Sequence, residues 1–148
     1  MLEPVVMTPD TPKQRSPCPI SSSLDMFGDR WTLLILRDIV LFDRHRYRDF
    51  LAAPEGIASN ILSDRLKRLE SGGLITKSPD PKDRRQVIYE ATKKGLALKP
   101  VILEIAAWGA AHGESGAPSD FAARYFADRE RFLDDHRALF DSFGPPDA

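Results

Sequence analysis

Apolar residues recur at helical spacing along most of the chain, and Pro and Gly cut the pattern into short units. Residues 21–27 read as a first helix, stopped near Gly28. Asp29 stands where a carboxylate accepts from the free amides of a helix start, and a second helix is predicted over about 30–41 with Trp31, Leu34, Ile35 and Ile39 on one face. Tyr47, Phe50 and Leu51 repeat in a third short helix that ends before Pro54. After Gly56, Ser59 is expected to cap a helix over 60–71, and Gly72-Gly73 follows where a left-handed helix end belongs. Residues 74–77 read as a strand, 79–85 as a turn with a charged tip, and 86–91 as the returning strand. Thr92 is expected to cap a long helix to about 112, bent at Pro100, and a last amphipathic helix is predicted over about 119–143.

Helices followed by a β-hairpin and further helices make a mainly α chain with a small β component, on the plan of a winged helix-turn-helix. Pro4, Pro9, Pro12, Pro17 and Pro19 exclude a sustained helix at the start, so residues 1–17 read as a flexible arm, 18–112 as the folded domain and 113–148 as a helical extension. In that extension Phe121, Tyr125, Phe132, Leu139 and Phe143 fall near helical spacing and form a stripe that must be buried.

The helix over 60–71 has two faces. Leu62, Leu66 and Leu69 point one way, with Ile61 at the edge; Asn60, Ser63, Asp64 and Lys67 point the other, with Arg68 beside them and Arg65 at the flank. Such a helix fits the major groove, where Asn pairs bidentately with adenine, Ser serves several bases or phosphate, and Lys and Arg meet phosphates. Asp64 would accept from cytosine or hold Arg68 at i+4. Alone, the segment is better read as a plain amphipathic helix with a solvated polar face, because such faces are common. The hairpin tip adds Lys82, Arg84 and Arg85, and a helix plus a basic wing makes a two-point clamp on duplex DNA. The simpler alternative for the tip is a solvated turn in which Asp80 and Asp83 pair with the arginines.

Net charge is −1 and the pI about 6.3, which taken alone argues against a nucleic-acid partner. The distribution reverses that. Residues 114–148 carry eight Asp and Glu against four Arg, whereas 1–113 carry 17 Lys and Arg against 14 Asp and Glu. A basic middle coexists with an acidic tail.

Several segments together resemble the HxlR family of bacterial transcription regulators. They are Cys18-Pro19, the run from Leu24 to Leu36 containing Gly28-Asp29-Arg30-Trp31, then Arg46-Tyr47-Arg48-Asp49-Phe50, Gly56-Ile57, the run from Leu62 to Glu70, Gly72-Gly73-Leu74-Ile75, Thr92-Lys93-Lys94-Gly95, Leu98, Pro100-Val101 and Trp108-Gly109. The resemblance covers roughly residues 18–112. It implies a winged-helix homodimer of the MarR-like group that binds operator DNA, more often as a repressor, with the first and last helices of the shared domain building the dimer. It also implies 59–71 as the recognition helix and 75–91 as the wing. This wing tip is more charged than the commoner Pro-rich one, and the tail after His112 has no counterpart in the short family pattern.

Cys18 is the lone cysteine, which excludes an internal disulfide and suits a reducing cytoplasm. It just precedes the first helix, where free amides favour a thiolate, and some members of the resembled family use a cysteine here; a redox or electrophile sensor and an inert thiol are its two readings. Trp31 and Trp108 are expected to pack in the core or a dimer interface. His45, His112 and His136 lack metal-ligand spacing, and no nucleophile–base set or phosphate-cradling loop is visible, so no metal, cofactor or enzymatic role is expected. No run is apolar enough for a membrane span, and the N-terminus lacks a charged start followed by an apolar run. The expected partners are operator DNA, a second copy and a small-molecule or electrophile effector. The rival is a winged-helix protein–protein module that binds no DNA.

Overall fold

The computed structural model describes residues 16–140. Most of the N-terminal arm, and Phe143 at the end of the expected tail stripe, lie outside the described residues. Helix α1 spans Pro19–Phe27 and so begins two residues earlier than its apolar pattern suggests. Proline suits the first helical position because its missing N–H would have no partner there. Cys18 is the N-cap, with φ −67° and ψ 127°. Helix α2, Arg30–Val40, starts at Asp29, whose side chain accepts from the Thr32 amide. Helix α3 is Tyr47–Leu51 and α4 is Ser59–Ser71. Ala58, not Ser59, is the N-cap of α4, and it makes no side-chain cap bond. Gly73 has φ +76°, the left-handed turn that a Cβ would oppose.

Strands β1 (Ile75–Pro79) and β2 (Val87–Ala91) pair antiparallel, with Ile75 opposite Ala91 and Pro79 opposite Val87. The chain before α3 extends this hairpin. Arg46 bridges to Ile88, and the Tyr89 amide donates to the His45 carbonyl at 2.8 Å.

The long helix expected after Thr92 is two helices, α5 (Lys93–Leu96) and α6 (Lys99–His112). Thr92 caps the short one, its Oγ1 accepting from the Gly95 amide at 3.1 Å. Pro100 does not bend a helix; it starts one. Its nitrogen has no hydrogen for the carbonyl four residues back, so α5 ends and α6 begins with proline in its first turn.

The tail is likewise not one helix. It folds as α7 (Phe121–Ala127), α8 (Arg129–Asp134) and a single 3-10 turn at Arg137–Leu139. Asp128 and Asp135 break it, because their carboxylates accept from the Arg131 and Arg137 amides and stabilise restarts over continuation. The apolar stripe is buried all the same: Phe121, Tyr125, Phe132 and Leu139 sit in the common core. Each contributes about 1.5–3 kcal/mol by burial. Polar links also fix the tail to the domain. Lys99 Nζ donates to the Leu133 carbonyl at 2.6 Å, Arg129 pairs with Glu104 at 2.6 Å, and His136 Nε2 bonds the Leu41 carbonyl.

The core joins Ile35, Leu36 and Ile39 of α2 to Phe50, to Leu62, Leu66 and Leu69 of α4, and to Ile102, Leu103 and Ala107 of α6. Every core residue of α4 lies on its predicted apolar face. Among the described residues no helix is long and apolar enough to cross a membrane.

Candidate nucleic-acid interface

Burying Leu62, Leu66 and Leu69 turns the opposite side of α4 to solvent. Asn60, Ser63, Asp64, Lys67 and Arg68 are exposed there. Ser63 Oγ is 3.0 Å from the Tyr47 hydroxyl, which also donates to the Ser59 carbonyl at 3.0 Å. Tyr47 therefore clamps the first turn of α4 to α3, and it belongs with the site although its spacing marked it only as a packing residue.

Arg65 does not belong to the open face. Its Nε donates to Asp29 Oδ2 at 2.8 Å, and a terminal nitrogen pairs with Asp64. The guanidinium thus ties α4 to the start of α2 and is spent on that task. This bond is the main reason the Asp29 carboxyl is lowered to about 2, helped by the Thr32 amide. Asp64 is shared between Arg65 and Arg68, with Arg68 Nε 3.2 Å away at the i+4 position. Its negative charge is thus offset by two arginines.

Lys82, Arg84 and Arg85 are all exposed on the wing tip. Arg85 reaches back to Asp83 at 3.2 Å, whereas Lys82 and Arg84 make no ion pair among the described residues. The tip is held by a buried brace. Asp80 is 4% exposed, pairs with Arg46, and accepts from the Lys82 amide at 2.9 Å. Arg46 also donates to Gln86 Oε1 at 2.9 Å. The Lys82 amide and the Arg46 guanidinium together hold the Asp80 carboxyl below the usual carboxylate range. Asp80 is therefore an internal strut rather than the surface partner of the wing arginines. Arg46 and Asp80 lie far apart in sequence, so no local pattern could pair them.

Among the described residues, α1 and α6 each leave an apolar face open in the single chain. On α1, Ile20 and Leu24 are exposed; on α6, Val101, Ile105 and Trp108 repeat along one side, with the Trp108 ring 5.3 Å from that of His112. Trp31 packs against the core, but Trp108 is 64% exposed and fills no core position. Cys18 is an exposed free thiol.

Known proteins share this architecture. A family model described as HxlR-like helix-turn-helix matches residues 26–117. The HTH-type transcriptional regulator YodB of Bacillus subtilis (strain 168) is 31% identical over 100 residues, covering 67% of this chain and 88% of YodB. The structure of its reduced form superposes with a TM-score of 0.53 at 33% identity, over 68% of this chain and 99% of that one. The redox regulator HypR in its oxidized form gives 0.56 at 26% identity, over 62% and 94%. A structure described as a MarR-family transcriptional regulator from Porphyromonas gingivalis W83 gives 0.58 at 37% identity, over 65% and 93%. A winged helix with a solvent-facing fourth helix and a basic hairpin, matched over most of its folded length by these regulators, places the chain in the HxlR-like helix-turn-helix family of DNA-binding transcriptional regulators.

Proposed function

We propose that the protein is a homodimeric repressor that lays α4 of each protomer in the major groove of an inverted-repeat operator. Asn60 and Ser63 read base edges, Lys67 and Arg68 meet phosphates, and the wing tip grips the backbone or minor groove through Lys82 and Arg84. The observation that carries this reading is the polar outward face of α4 together with a basic wing tip that Arg46 and Asp80 hold in place. Arg65 acts as a positioning residue, and Arg85 contributes after leaving Asp83.

The open apolar faces of α1 and α6 support dimerisation, since Ile20, Leu24, Ile105 and Trp108 would be costly to leave in water. A dimer presents its two reading helices about 34 Å apart, which demands half-sites one helical turn apart. An effector, either a small molecule or an electrophile at Cys18, sets the affinity. HypR is described as a redox regulator and YodB has been solved both reduced and diamide-treated, which supports the electrophile route. Footprinting on the DNA flanking the protein's own gene tests the reading: a protected inverted repeat is expected, and a salt-insensitive protein that protects no fragment would overturn it.

A further inference from the structure

Between α2, α6 and the tail lies a cavity of about 450 Å³. It falls within the range of small-molecule sites. Leu34, Leu41 and Phe42 form one wall and Ile102 and Ile105 another. Ala106, Gly109, Ala110 and Ala117 leave the space open because they have so little side chain. The tail closes it: Phe121 and Phe140 line it, with their rings 5.4 Å apart and the Phe140 ring edge-on to Phe42 at 5.4 Å. The extension after His112 is thus a structural part of the cavity.

Charge at the mouth decides the class of occupant. Arg37 and Glu55 are the charged groups in the lining. Arg37 donates to both Glu55 oxygens at 2.8 and 3.0 Å, and to Asp38 through Nε and a terminal nitrogen at 3.0 and 2.9 Å. In the lining the Arg37 guanidinium is thus paired with the Glu55 carboxylate and tied further to Asp38. Among the described residues that line it, the one cation, Arg37, is paired, and an apolar lining would leave an anionic head unsolvated.

We propose that this cavity is an effector site for an uncharged, largely apolar, aromatic-sized molecule. The proposal rests on the effector reading above and gives it a site distinct from Cys18. The coupling route is direct. Pro54 and Glu55 line the cavity and belong to the loop that leads into α4, while the other wall is α6, whose outer face is the proposed dimer surface and shares Ile105 with the cavity rim. A ligand wedged there pushes the Arg37–Glu55 clasp and alters how α4 is held relative to the dimer helices.

N-phenylnaphthylamine, an uncharged fluorophore, and its sulfonated analogue anilinonaphthalene sulfonate make a matched pair of probes for the full-length protein. One N-phenylnaphthylamine per protomer is expected to bind with a blue-shifted emission, and the sulfonate at least about tenfold more weakly. A Cβ at Gly109 meets nothing within 4 Å, so Gly109→Leu should extend into the cavity and abolish probe binding while leaving the thermal melt intact. Saturating probe should weaken operator binding about fivefold or more in the unsubstituted protein and leave Gly109→Leu unaffected. Equal binding of both probes, binding that survives Gly109→Leu, or binding that vanishes as protein concentration drives dimerisation would each overturn the proposal, the last because a second copy then fills the space. Operator binding without the probe is measured in parallel: a protein that binds DNA but not the probe loses this site alone, and one that binds the probe but not DNA loses the operator assignment instead.

Discussion

Arg65 Nε lies 2.8 Å from Asp29 Oδ2, so a residue on α4 is bonded to the residue that caps α2. The pair links two jobs. Asp29 neutralises the start of one helix, and Arg65 fixes the angle at which the other leaves the core. Arg65→Ala should cost about 1 kcal/mol of stability, a small figure because both side chains are partly exposed. It should also weaken binding to specific and non-specific DNA alike, since orientation rather than a base contact is lost. Chemical denaturation and anisotropy titrations check both; a change confined to one base-pair position would make Arg65 a reading residue.

The same pair predicts an acid limb. The Asp29 carboxyl sits at about 2 in the folded chain against 3.8 for an unperturbed aspartate. A depressed folded value stabilises the fold fully above the unfolded pKa and loses that contribution as pH falls through the folded one. Stability should therefore decline between about pH 4 and pH 2, and Asp29→Asn should flatten that part of the curve while being less stable at neutral pH. Parallel acid limbs in the two proteins would remove Asp29 from the explanation.

Division of labour across the interface is testable by salt. Arg84 is an unpaired cation of the wing tip among the described residues, so Arg84→Ala should weaken all DNAs similarly and reduce the log–log salt slope by about one. Arg85→Ala should do less, because Arg85 is already engaged with Asp83 at 3.2 Å. Asn60→Ala should instead relax preference at one or two base pairs at a cost of about 1–3 kcal/mol. If Asn60→Ala and Arg84→Ala lose only non-specific binding, the reading face is misassigned.

How much of this was legible in the sequence depends on range. Local periodicity located α2, α3 and the two faces of α4, because burial of Leu62, Leu66 and Leu69 alone orients that helix. Gly73 was readable since only its backbone type suits φ +76°. Misjudged elements came from side chains that compete with helix continuation: Pro100 opened α6 instead of bending it, and Asp128 and Asp135 cut the tail. Long-range pairs were invisible. Nothing in the spacing ties Arg46 to Asp80 or Arg65 to Asp29, so the wing brace and the inward turn of Arg65 emerge only in three dimensions.

Gly95 is held by contact rather than by conformation. A Cβ there would sit 2.1 Å from the Leu74 carbonyl oxygen, where α5 presses on the start of the wing. Gly95→Ala should cost about 1–3 kcal/mol by forcing α5 away from β1. A thermal melt within error of the unsubstituted protein would show that this junction yields easily.

The tail should carry stability and, with its net negative charge, is expected to stay off DNA. Phe132 is 3% exposed, and Phe132→Ala should cost about 3 kcal/mol with an unchanged operator sequence preference. A chain ended at Gly113 should aggregate or lose dimer stability, because it uncovers the surface around Leu41 and Phe42 that the tail now shields. A well-behaved dimer with unchanged melting would make the tail an independent appendage.

Cys18 gives the last prediction. The thiol is exposed, its residue caps α1 in an extended conformation, and its amide donates to Ser16 Oγ at 3.2 Å. The same helix presents Ile20 and Leu24 outward, so in a dimer using that face the two Cys18 residues start the packed helices. Diamide takes two electrons and two protons from a pair of thiols, leaving a disulfide and a hydrazine. Joined Cys18 sulfurs would fix the spacing of the α1 helices and, through them, of the two reading helices, which must both fit their half-sites at once. Treatment with diamide should therefore produce a covalent dimer on a non-reducing gel and lower operator affinity about tenfold, reversibly with dithiothreitol. Cys18→Ser should bind as well as the unsubstituted protein and ignore diamide. Superimposable gel-shift curves for the two proteins, with and without diamide, would leave Cys18 as a structural N-cap and place regulation elsewhere, with the cavity beneath the tail as the remaining site.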